Sequence, residues 1–428
     1  MSKPVIGFAG MTHLGLVSGV SASEKGFRLV CFDPDEQRTS DLARGSLPVS
    51  EPQLDDLVAK NKDRLTFTSD AAALAQCDVV YVAPDVPTDD QGSSDLGPIN
   101  ALLDKVFAAA RPDAVIVILS QVPPGFTRGK IRPGRLLYYQ VETLIFGRAV
   151  ESALQPERYI VGCADPGKPL PTAYAEFLAA HGCPILPMRY ESAELAKISI
   201  NMCLVASVST ANTLAELCEK IGADWSEIVP ALKLDRRIGQ YAYLAPGLGI
   251  SGGNLERDLA TVCNFADKHG TDAGVVRAWI ANSRHRKGWA ARTLREALPA
   301  GKTDAVVAIW GLAYKENTHS TKNSPSIAAI SELQDVTLRV FDPIVPWNPA
   351  WHARTTACHS ALEALAGADA LMILTPWDDF RKIGPAAIVA AMNGRIVLDP
   401  YRVLDTETAA KAELALYILG RSRPESTG

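Results

Sequence analysis

A glycine-rich stretch past the middle of the chain, residues 246–258, combines freely turning backbone with polar side chains. Its sequence is PGLGISGGNLERD. The glycines allow the backbone to fold closely against a ligand, and the stretch predicts a helix that begins at Leu255. The polar side chains of Asn254, Glu256, Arg257 and Asp258 would then face the bound group. An ordinary surface loop that leads into a helix is the alternative interpretation of a lone glycine cluster.

Two further polar residues, Lys197 and Asn201, lie four positions apart in a long alanine-rich stretch, ESAELAKISINMCLVASVSTANTLAELCEKIGAD. This stretch contains no proline and leads to Gly222, as is typical of a helix with a glycine at C′, so it predicts one long helix. Residues at this spacing project from one helix face. A lysine that reaches out to solvent and an unrelated asparagine would fit the same spacing.

The N-terminal residues predict the β-α-β opening of a dinucleotide-binding domain. A short apolar strand ends at Phe8, a GxxxxG segment follows, and a second strand after a helix ends at Asp33. Gly10 and Gly15 would form the tight turn, the helix N-terminus would bind the pyrophosphate, and Asp33 would bind the ribose hydroxyls. Asp33 would repel a 2′-phosphate, which favours NAD over NADP. Thr12 replaces the middle glycine of GxGxxG and adds a side chain near the phosphates.

The candidate residues must be positioned by helices and strands that pack around a hydrophobic core. The chain has 428 residues, of which 47% are hydrophobic, and this is enough for two or three such cores. Strands alternate with helices in both halves, which predicts two Rossmann-like, doubly wound parallel-sheet α/β domains joined by the long helix. We expect an NAD-binding domain over residues 1–190, a central helical region with the glycine-rich loop over 191–300, and a second Rossmann-like domain over 301–428.

The overall charge limits the partners of the protein. The net charge of -5, from 43 basic and 48 acidic residues, gives no general basic field for nucleic acid or for an anionic membrane. Eight scattered cysteines without a CxxC pair favour a reducing, cytoplasmic compartment. The N-terminus lacks the plan of a signal peptide, and no apolar run reaches about 18 residues, so we expect a soluble protein. The seven histidines lie apart without HExxH, so no metal site is expected.

The glycine-rich stretch resembles the active-site loop of the UDP-glucose/GDP-mannose dehydrogenase family, written PGxGfGGsCfpKD. Further blocks of the chain are similar to that family in order from Val5 to about Leu404, among them CDVVYVAPDVPTDD, VILSQVPPGFT, QVETLIFGRAV, QPERYIVG and GLAYKENTHSTKNSP. The resemblance implies NAD as cofactor, a nucleotide-sugar substrate and oxidation of a CH–OH group. It also implies sugar-nucleotide binding by the C-terminal domain and a homodimer built on the long helix around Lys197 to Glu219.

The resemblance further implies roles for single residues. Glu142 would act through water in acid and base steps, with an ordinary solvated glutamate as the alternative, because its motif match is loose. Lys197 and Asn201 would stabilise the oxyanion at the oxidised carbon, and Asp258 would assist water or the general base. The implied catalytic positions are Glu142, Lys197, Asn201, Asn254 and Asp258.

Other positions are implied to contact the cofactor or the substrate. The cofactor positions are Gly10, Thr12, Leu14, Gly15, Asp33, Arg38, Val86, Gln121, Arg257 and Lys322. The substrate positions are Glu142, Lys197, Asn201, Arg237, Tyr243, Gly247, Ser251 and Lys315, of which Arg237 would reach the sugar nucleotide of the partner subunit. Val86 and Gln121 stand where the family has threonines, and Lys322 stands where it has an arginine.

Asn254 is the main departure, because the family has there the cysteine that captures the aldehyde between two hydride transfers. An amide cannot form a thioester. The favoured hypothesis is an NAD-dependent dehydrogenase that stops at the aldehyde, or reaches the acid through the hydrate with water activated by Asp258 or Glu142. The alternatives are a redox-neutral nucleotide-sugar epimerase that retains NAD and returns the hydride, and a non-catalytic sugar-nucleotide-binding protein.

Overall fold

The computed structural model describes residues 3–87, 89, 94–145, 147–302 and 304–422. The chain forms two compact units, one up to Ile200 and the other from Asn201 onward. Each unit contains a sheet of mainly parallel strands with helices packed on it. The predicted α/β class with two Rossmann-like domains is therefore confirmed.

The strands of the first unit are β1 (Val5–Ala9), β2 (Arg28–Phe32), β3 (Leu65–Thr68), β4 (Val79–Val82), β5 (Val115–Ile118), β6 (Leu136–Gln140), β7 (Tyr159–Cys163) and β8 (Ile185–Arg189). Within the described residues these eight form one sheet in the order β3-β2-β1-β4-β5-β6-β7-β8. Neighbouring strands pair in parallel except β6 and β7, which pair antiparallel. The inner strands are continuous apolar runs such as VVYV in β4, as parallel strands covered on both faces require.

The helices of the first unit are α1 (His13–Glu24), α2 (Glu36–Ala43), α3 (Leu54–Lys60), α4 (Gly97–Ala109), α5 (Ala149–Leu154), α6 (Thr172–Ala179) and the first part of α7 (Tyr190–Ile221). Short 3-10 turns cover Lys62–Arg64, Ala71–Gln76 and Arg128–Lys130. Alternate residues of a strand face opposite sides. Accordingly, Tyr81 belongs to the core on one face of the sheet and Val80 to the core on the other.

The strand order of the first sheet reverses between β1 and β4. In such sheets the loops that follow the two strands open a crevice where ligands bind. Residues 10–15 follow β1 and residues 83–87 follow β4. The predicted dinucleotide-binding turn therefore lies at the edge of the sheet where this class of fold binds ligands.

The long helix predicted from the alanine-rich stretch is present as α7, which has 32 residues. It is followed by Gly222 with φ of 83°, the left-handed conformation that ends many helices. By length and composition α7 could cross a membrane, since its most apolar window has a mean hydropathy of 1.3. A single helix of this kind is weak support for a membrane span, because the core helix of a soluble protein has the same composition. Ala193, Val205 and Ala211 on α7 are fully buried in the protein.

The second unit contains the remainder of α7 followed by α8 (Trp225–Leu234), α9 (Asn254–His269), α10 (Gly274–Lys287), α11 (Trp289–Ala297), α12 (Pro325–Glu332), α13 (Ala361–Leu365), α14 (Asp378–Arg381), α15 (Pro385–Ala391) and α16 (Thr406–Lys411). Its strands are β9 (Val306–Trp310), β10 (Thr337–Phe341), β11 (Thr355–Ala357), β12 (Ala370–Ile373), β13 (Ile396–Leu398) and β14 (Ala415–Tyr417). Among the described residues these six strands pair in parallel in the order β11-β10-β9-β12-β13-β14. The strand order again reverses, here between β9 and β12. The loop after β9 therefore lies at the point of the sheet where folds of this class bind ligands.

Candidate active site

The turn between β1 and α1 requires glycine at both predicted positions. Gly10 has φ of 93°, and a β-carbon on it would lie 2.7 Å from the backbone nitrogen of Pro84. A β-carbon on Gly15 would lie 1.9 Å from the carbonyl oxygen of Gly10, far inside van der Waals contact. The glycines thus allow β1, the turn and α1 to pack closely, as a dinucleotide-binding turn needs. Leu14, between them, is buried in the core.

Asp33 lies at the end of β2 with its carboxylate held in place. One oxygen accepts hydrogen bonds from the Met11 backbone at 2.6 Å and from Arg38 Nη1 at 3.0 Å. The other oxygen accepts from the Asp35 backbone at 3.0 Å. The structure therefore brings the predicted cofactor residues Asp33 and Arg38 together beside the glycine turn. A fixed carboxylate at this place suits the ribose hydroxyls of a dinucleotide.

The loop after β4 meets the N-terminus of α1. Thr12 precedes α1 but does not cap it with its hydroxyl, which instead accepts a hydrogen bond from the Asp85 backbone at 2.8 Å. The Asp85 carboxylate accepts from the His13 backbone at 3.1 Å. Val86, in the same loop, is half-buried. Asp85 could not be selected from the sequence, because no spacing of residues shows that this loop reaches α1.

The loop after β5 carries Gln121 and is fastened to α7 by a buried glutamate. The two oxygens of Glu194 accept hydrogen bonds from the Gly125 backbone at 2.6 Å and the Thr127 backbone at 2.8 Å. Burial raises the pKa of Glu194, although these hydrogen bonds act in the opposite direction. Sequence reasoning missed Glu194, which stands only three residues before Lys197.

Glu142 and Lys197 form an ion pair in the first unit. Lys197 Nζ lies 3.2 Å from Glu142 Oε2 and also donates to the Glu142 backbone carbonyl at 3.0 Å. The other carboxylate oxygen, Oε1, accepts from the Leu144 backbone. Both side chains are largely shielded from solvent, with 15% of the Lys197 side chain and 17% of the Glu142 side chain exposed. The structure thus brings a predicted acid/base residue next to a predicted oxyanion donor.

Asn201, Asp258 and Arg257 form a buried cluster in the second unit. One Asp258 oxygen accepts from Asn201 Nδ2 on α7, and the other accepts from Arg257 Nε at 3.1 Å. The Asp258 side chain is only 1% exposed. Its negative charge is therefore matched by the guanidinium, and both of its oxygens are held.

The glycine-rich loop is fastened on three sides within the second unit. The Gly247 backbone donates to Asn212 of α7 at 2.8 Å, and the Ile250 backbone donates to Ser283 of α10 at 2.8 Å. Asn323 Nδ2 donates to the Gly252 carbonyl at 3.0 Å. Ser251, beside these anchors, is half-buried. The loop is thus closely packed backbone rather than a loose surface connection.

Helix α9 begins at Asn254, one residue earlier than predicted, and this residue is exposed. The Lys322 ammonium lies next to the same end of α9. Its Nζ would be 3.8 Å from a β-carbon built on Gly253, the residue before the helix. Tyr314 lies against the loop, 3.3 Å from a β-carbon built on Gly252, and the Lys315 ammonium is 5.8 Å from its ring centre. The Lys322 ammonium and the Tyr314 ring therefore lie against the two glycines that precede the helix.

Two predicted substrate residues lie on the surface of the second unit. Arg237 is exposed and pairs with Asp235 at 2.6 Å, and Tyr243 is more than half exposed. Tyr243 lines an open cavity of about 700 Å³, which sequence reasoning missed. Its lining includes Trp225, Tyr401 and Arg402. These residues are far apart in the chain, so only the fold brings them together.

Comparison with known proteins identifies the family. The chain matches three domains of the UDP-glucose/GDP-mannose dehydrogenase family, namely the NAD binding domain over residues 5–176, the central domain over 191–284 and the UDP binding domain over 308–406. UDP-glucose 6-dehydrogenase of Rickettsia conorii is 30% identical over 431 residues, which are 97% of this chain and 99% of that protein. UDP-glucose 6-dehydrogenase of Pseudomonas aeruginosa is 30% identical over 443 residues, 97% of each chain.

Solved structures share the fold. A UDP-glucose dehydrogenase from Pyrobaculum islandicum superposes with a TM-score of 0.84 at 24% identity over 98% of each chain. A UDP-D-ManNAc dehydrogenase from Pyrococcus horikoshii gives 0.82 at 21% identity, covering 97% of this chain and 99% of that one. Fold and matched domains thus define an oxidoreductase that binds NAD. The chain belongs to the UDP-glucose/GDP-mannose dehydrogenase family, whose members are NAD-dependent nucleotide-sugar dehydrogenases, and α7 is the central core helix of that fold.

The first unit fits NAD at its adenosine end. Gly10 and Gly15 provide the close turn, and Asp33 is fixed at the end of β2 by Met11 and Arg38. These residues would hold the adenosine ribose and the adjoining backbone of the cofactor. The bound nicotinamide would accept the hydride that leaves the sugar carbon.

Proposed function

We propose that the protein oxidises one CH–OH group of a nucleotide-activated sugar, as UDP-glucose 6-dehydrogenases do, and that it releases the aldehyde as its main product. The observation that carries the second part is the residue at the start of α9. Asn254 opens α9 at the end of the closely packed loop. The likeness of this loop to the family's active-site motif implies that Asn254 replaces the nucleophilic cysteine. An amide can donate a hydrogen bond to the substrate oxygen, but it cannot form a thioester.

The first hydride transfer requires a group that receives the alcohol proton and donors that stabilise the oxygen as charge develops. Glu142 is suited to move that proton through water, because its carboxylate is fixed in place by Lys197 and is still 17% exposed. Lys197 and Asn201, one turn apart on α7, are suited to donate to the oxyanion.

Asp258 is better suited to position Asn201 than to act as the base. Water has almost no access to its carboxylate, which is 1% exposed, whereas 17% of the Glu142 side chain is exposed. Its two oxygens are held by Asn201 and Arg257 within this buried cluster. Its carboxylate fixes the amide of Asn201 with Nδ2 as the donor. This assignment leaves Glu142 as the acid/base group and makes Asp258 a positioning residue.

The second oxidation is expected to be slow. Without a thiol, the aldehyde must first add water, and the hydrate must then lose a second hydride. Each 1.4 kcal/mol of lost transition-state stabilisation slows a step about tenfold. Asn254 therefore favours dissociation of the aldehyde over its conversion to the acid.

The nucleotide part is proposed to bind the second unit. The cavity beside Tyr243 combines the aromatic side chains of Trp225 and Tyr401 with the guanidinium of Arg402, which suits a base and its phosphates. Exposed Arg237 is proposed to reach the sugar nucleotide of a partner subunit. We further propose the domain boundaries 1–190, 191–300 and 301–428, and a cytoplasmic location, in keeping with the free thiols of the described cysteines.

The test mixes the protein with NAD and a panel of UDP-, GDP-, CMP- and dTDP-linked sugars and measures NADH together with the product mass. One NADH per sugar and an aldehyde product are expected. Isomerised sugar without net NADH would indicate an epimerase, and saturable binding without conversion would indicate a binding protein. Two NADH per sugar with an acyl adduct on any cysteine would overturn the role assigned to Asn254.

Asn254→Cys is the complementary variant, and it is expected to raise the yield of acid. Asn264→Cys is the matched control, because Asn264 is exposed on the same helix but lies outside the loop. Acid formation with Asn254→Cys and not with Asn264→Cys would tie the second oxidation to the start of α9. An equal gain in both variants would contradict that assignment.

A further inference from the structure

Asp85 places a carboxylate against the helix end that faces the phosphates in dinucleotide-binding folds. It follows β4 at the switch point of the sheet, and its Oδ2 accepts a hydrogen bond from the His13 backbone, the first residue of α1, at 3.1 Å. Its own backbone N–H donates to Thr12 Oγ1 at 2.8 Å. Thr12 and Asp85 therefore hold each other, and together they bring a negative charge to the start of α1.

That helix start is the place where a dinucleotide puts its pyrophosphate, because unpaired N–H groups and the positive end of the helix dipole favour an anion there. Thr12 does not cap α1 with its own hydroxyl. The Asp85 carboxylate supplies the acceptor instead and satisfies one of the donors that a phosphate oxygen would use. A pyrophosphate that approaches α1 meets both an occupied donor and a like charge.

We propose that Asp85, held by Thr12, competes with the pyrophosphate of NAD for the N-terminus of α1 and thereby lowers the affinity of the first domain for the cofactor. Binding of NAD requires the Asp85 side chain to leave the His13 amide. The adenosine end of the cofactor is unaffected, because Asp33 lies at the end of the other strand, β2, and is held there by Arg38 of α2. The competition concerns the NAD-binding domain alone and does not depend on which sugar is oxidised.

The test measures binding by titration calorimetry on the full-length protein with three ligands: NAD, ADP-ribose and adenosine, of which adenosine lacks the pyrophosphate. Asp85→Asn removes the charge and retains an acceptor, whereas Asp85→Gly removes the whole side chain. Both variants are expected to bind NAD and ADP-ribose about tenfold more tightly, which corresponds to about 1.4 kcal/mol. Adenosine affinity should not change.

Asp56→Asn is the matched control, because it removes one exposed carboxylate in the first turn of α3 in the same domain. It should leave all three affinities unchanged. Thermal unfolding checks that each variant is folded. If Asp85→Gly does not fold, the NAD affinity of Asp85→Asn alone tests the proposal. Unchanged or weaker NAD binding in the folded Asp85 variants would overturn the proposal. An equal gain for adenosine would also overturn it, because the effect would then not act on the phosphates.

Discussion

Lys197 is the residue for which the site makes the most direct kinetic prediction. Lys197→Met is expected to lower kcat by about 100- to 1000-fold with little change in KM, because an oxyanion donor acts mainly in the transition state. Lys220→Met is the matched control, since Lys220 is an exposed lysine on the same helix. Steady-state kinetics with a turned-over sugar nucleotide checks both variants. A rise in KM at constant kcat would contradict the role as oxyanion donor.

Asp33 should determine the preference for NAD over NADP. Asp33→Ala removes the acceptor for the ribose hydroxyls and releases Arg38, whose guanidinium can then meet a 2′-phosphate. We expect NAD binding to weaken by more than about tenfold and NADP binding to weaken much less. Calorimetric titration of both cofactors measures the ratio of their dissociation constants. If the unmodified protein binds NADP as tightly as NAD, the role of Asp33 is wrong.

Residue types and spacing selected the candidate site residues but not the pairs that they form. The glycines at 10 and 15, and the polar residues near 254, could be selected because a turn and a helix start need them. The ion pair between Glu142 and Lys197 joins residues 55 positions apart, and the contact between Asp85 and His13 joins residues 72 positions apart. No local sequence pattern encodes contacts between residues so far apart in the chain. These contacts depend on the paths of the loops that follow the strands.

At the level of the elements, helix α1 contains two glycines that should respond oppositely to alanine. In Gly15→Ala the new β-carbon would lie 1.9 Å from the Gly10 carbonyl oxygen, so we expect a loss of about 3 kcal/mol in the free energy of unfolding. In Gly19→Ala the nearest atoms are 3.5 Å away, an ordinary contact, so we expect a gain of about 0.5–1 kcal/mol from helix propensity. Urea unfolding measures both changes. Equal effects would show that α1 does not pack as described.

The segment after α6 should make stability depend on pH through His181. The His181 ring packs edge-on against Tyr159 and Phe177, each at 5.4 Å between ring centres. Burial, and to a lesser extent the charge of Lys25, lower the pKa of His181 to about 4. The unfolded chain takes up a proton at about pH 6.5, whereas the folded chain resists it. The free energy of unfolding is therefore not reduced by this group above about pH 6.5, and it decreases as the pH falls from there towards 4.

The size of that loss is expected to be about 2 kcal/mol, after allowance for the partial exposure of the ring. His181→Gln should flatten the stability curve between pH 6.5 and 4, as measured by urea unfolding at a series of pH values. His359→Gln, at an exposed position, is the control and should retain the slope of the unmodified protein. An unchanged slope in His181→Gln would contradict the assignment.

Among the elements, the sequence predicted α7 and the β-α-β opening closely, because both have strong local signals: unbroken alanine-rich periodicity and paired glycines. The antiparallel pairing of β6 and β7 was not predicted. A short apolar strand has the same pattern in either direction, and its direction depends on the path of the connection. The start of α9 was off by one residue for the related reason that helix ends are weakly encoded.

At the scale of the whole molecule, the order of motif blocks along the chain was sufficient to predict both Rossmann-like domains and the family. The domain boundaries stay a prediction. The division between the two compact units falls within α7, after Ile200, whereas the sequence suggested a boundary at residue 190. A helix that is continuous through both units has no composition change at that point, so sequence reasoning had nothing there to detect.

The predicted homodimer is the property of the whole molecule that the surface supports most directly. Leu214, Leu217 and Ile221 lie along one face of α7 at helical spacing, and each is at least 40% exposed in the single chain. On another face of the same helix, Ala211 and Ala215 pack against α8. An exposed apolar stripe on a long central helix is typical of a subunit interface.

We therefore expect a dimer at micromolar concentration, with an interface that buries well over about 2,000 Å². Leu217→Glu should shift the protein towards monomer in analytical ultracentrifugation, because it places a charge within the apolar stripe. Leu362→Glu is the matched control, since it makes the same change at an exposed leucine of α13 and should leave the dimer intact. A monomeric unmodified protein, or dissociation by both variants alike, would contradict an interface built on α7.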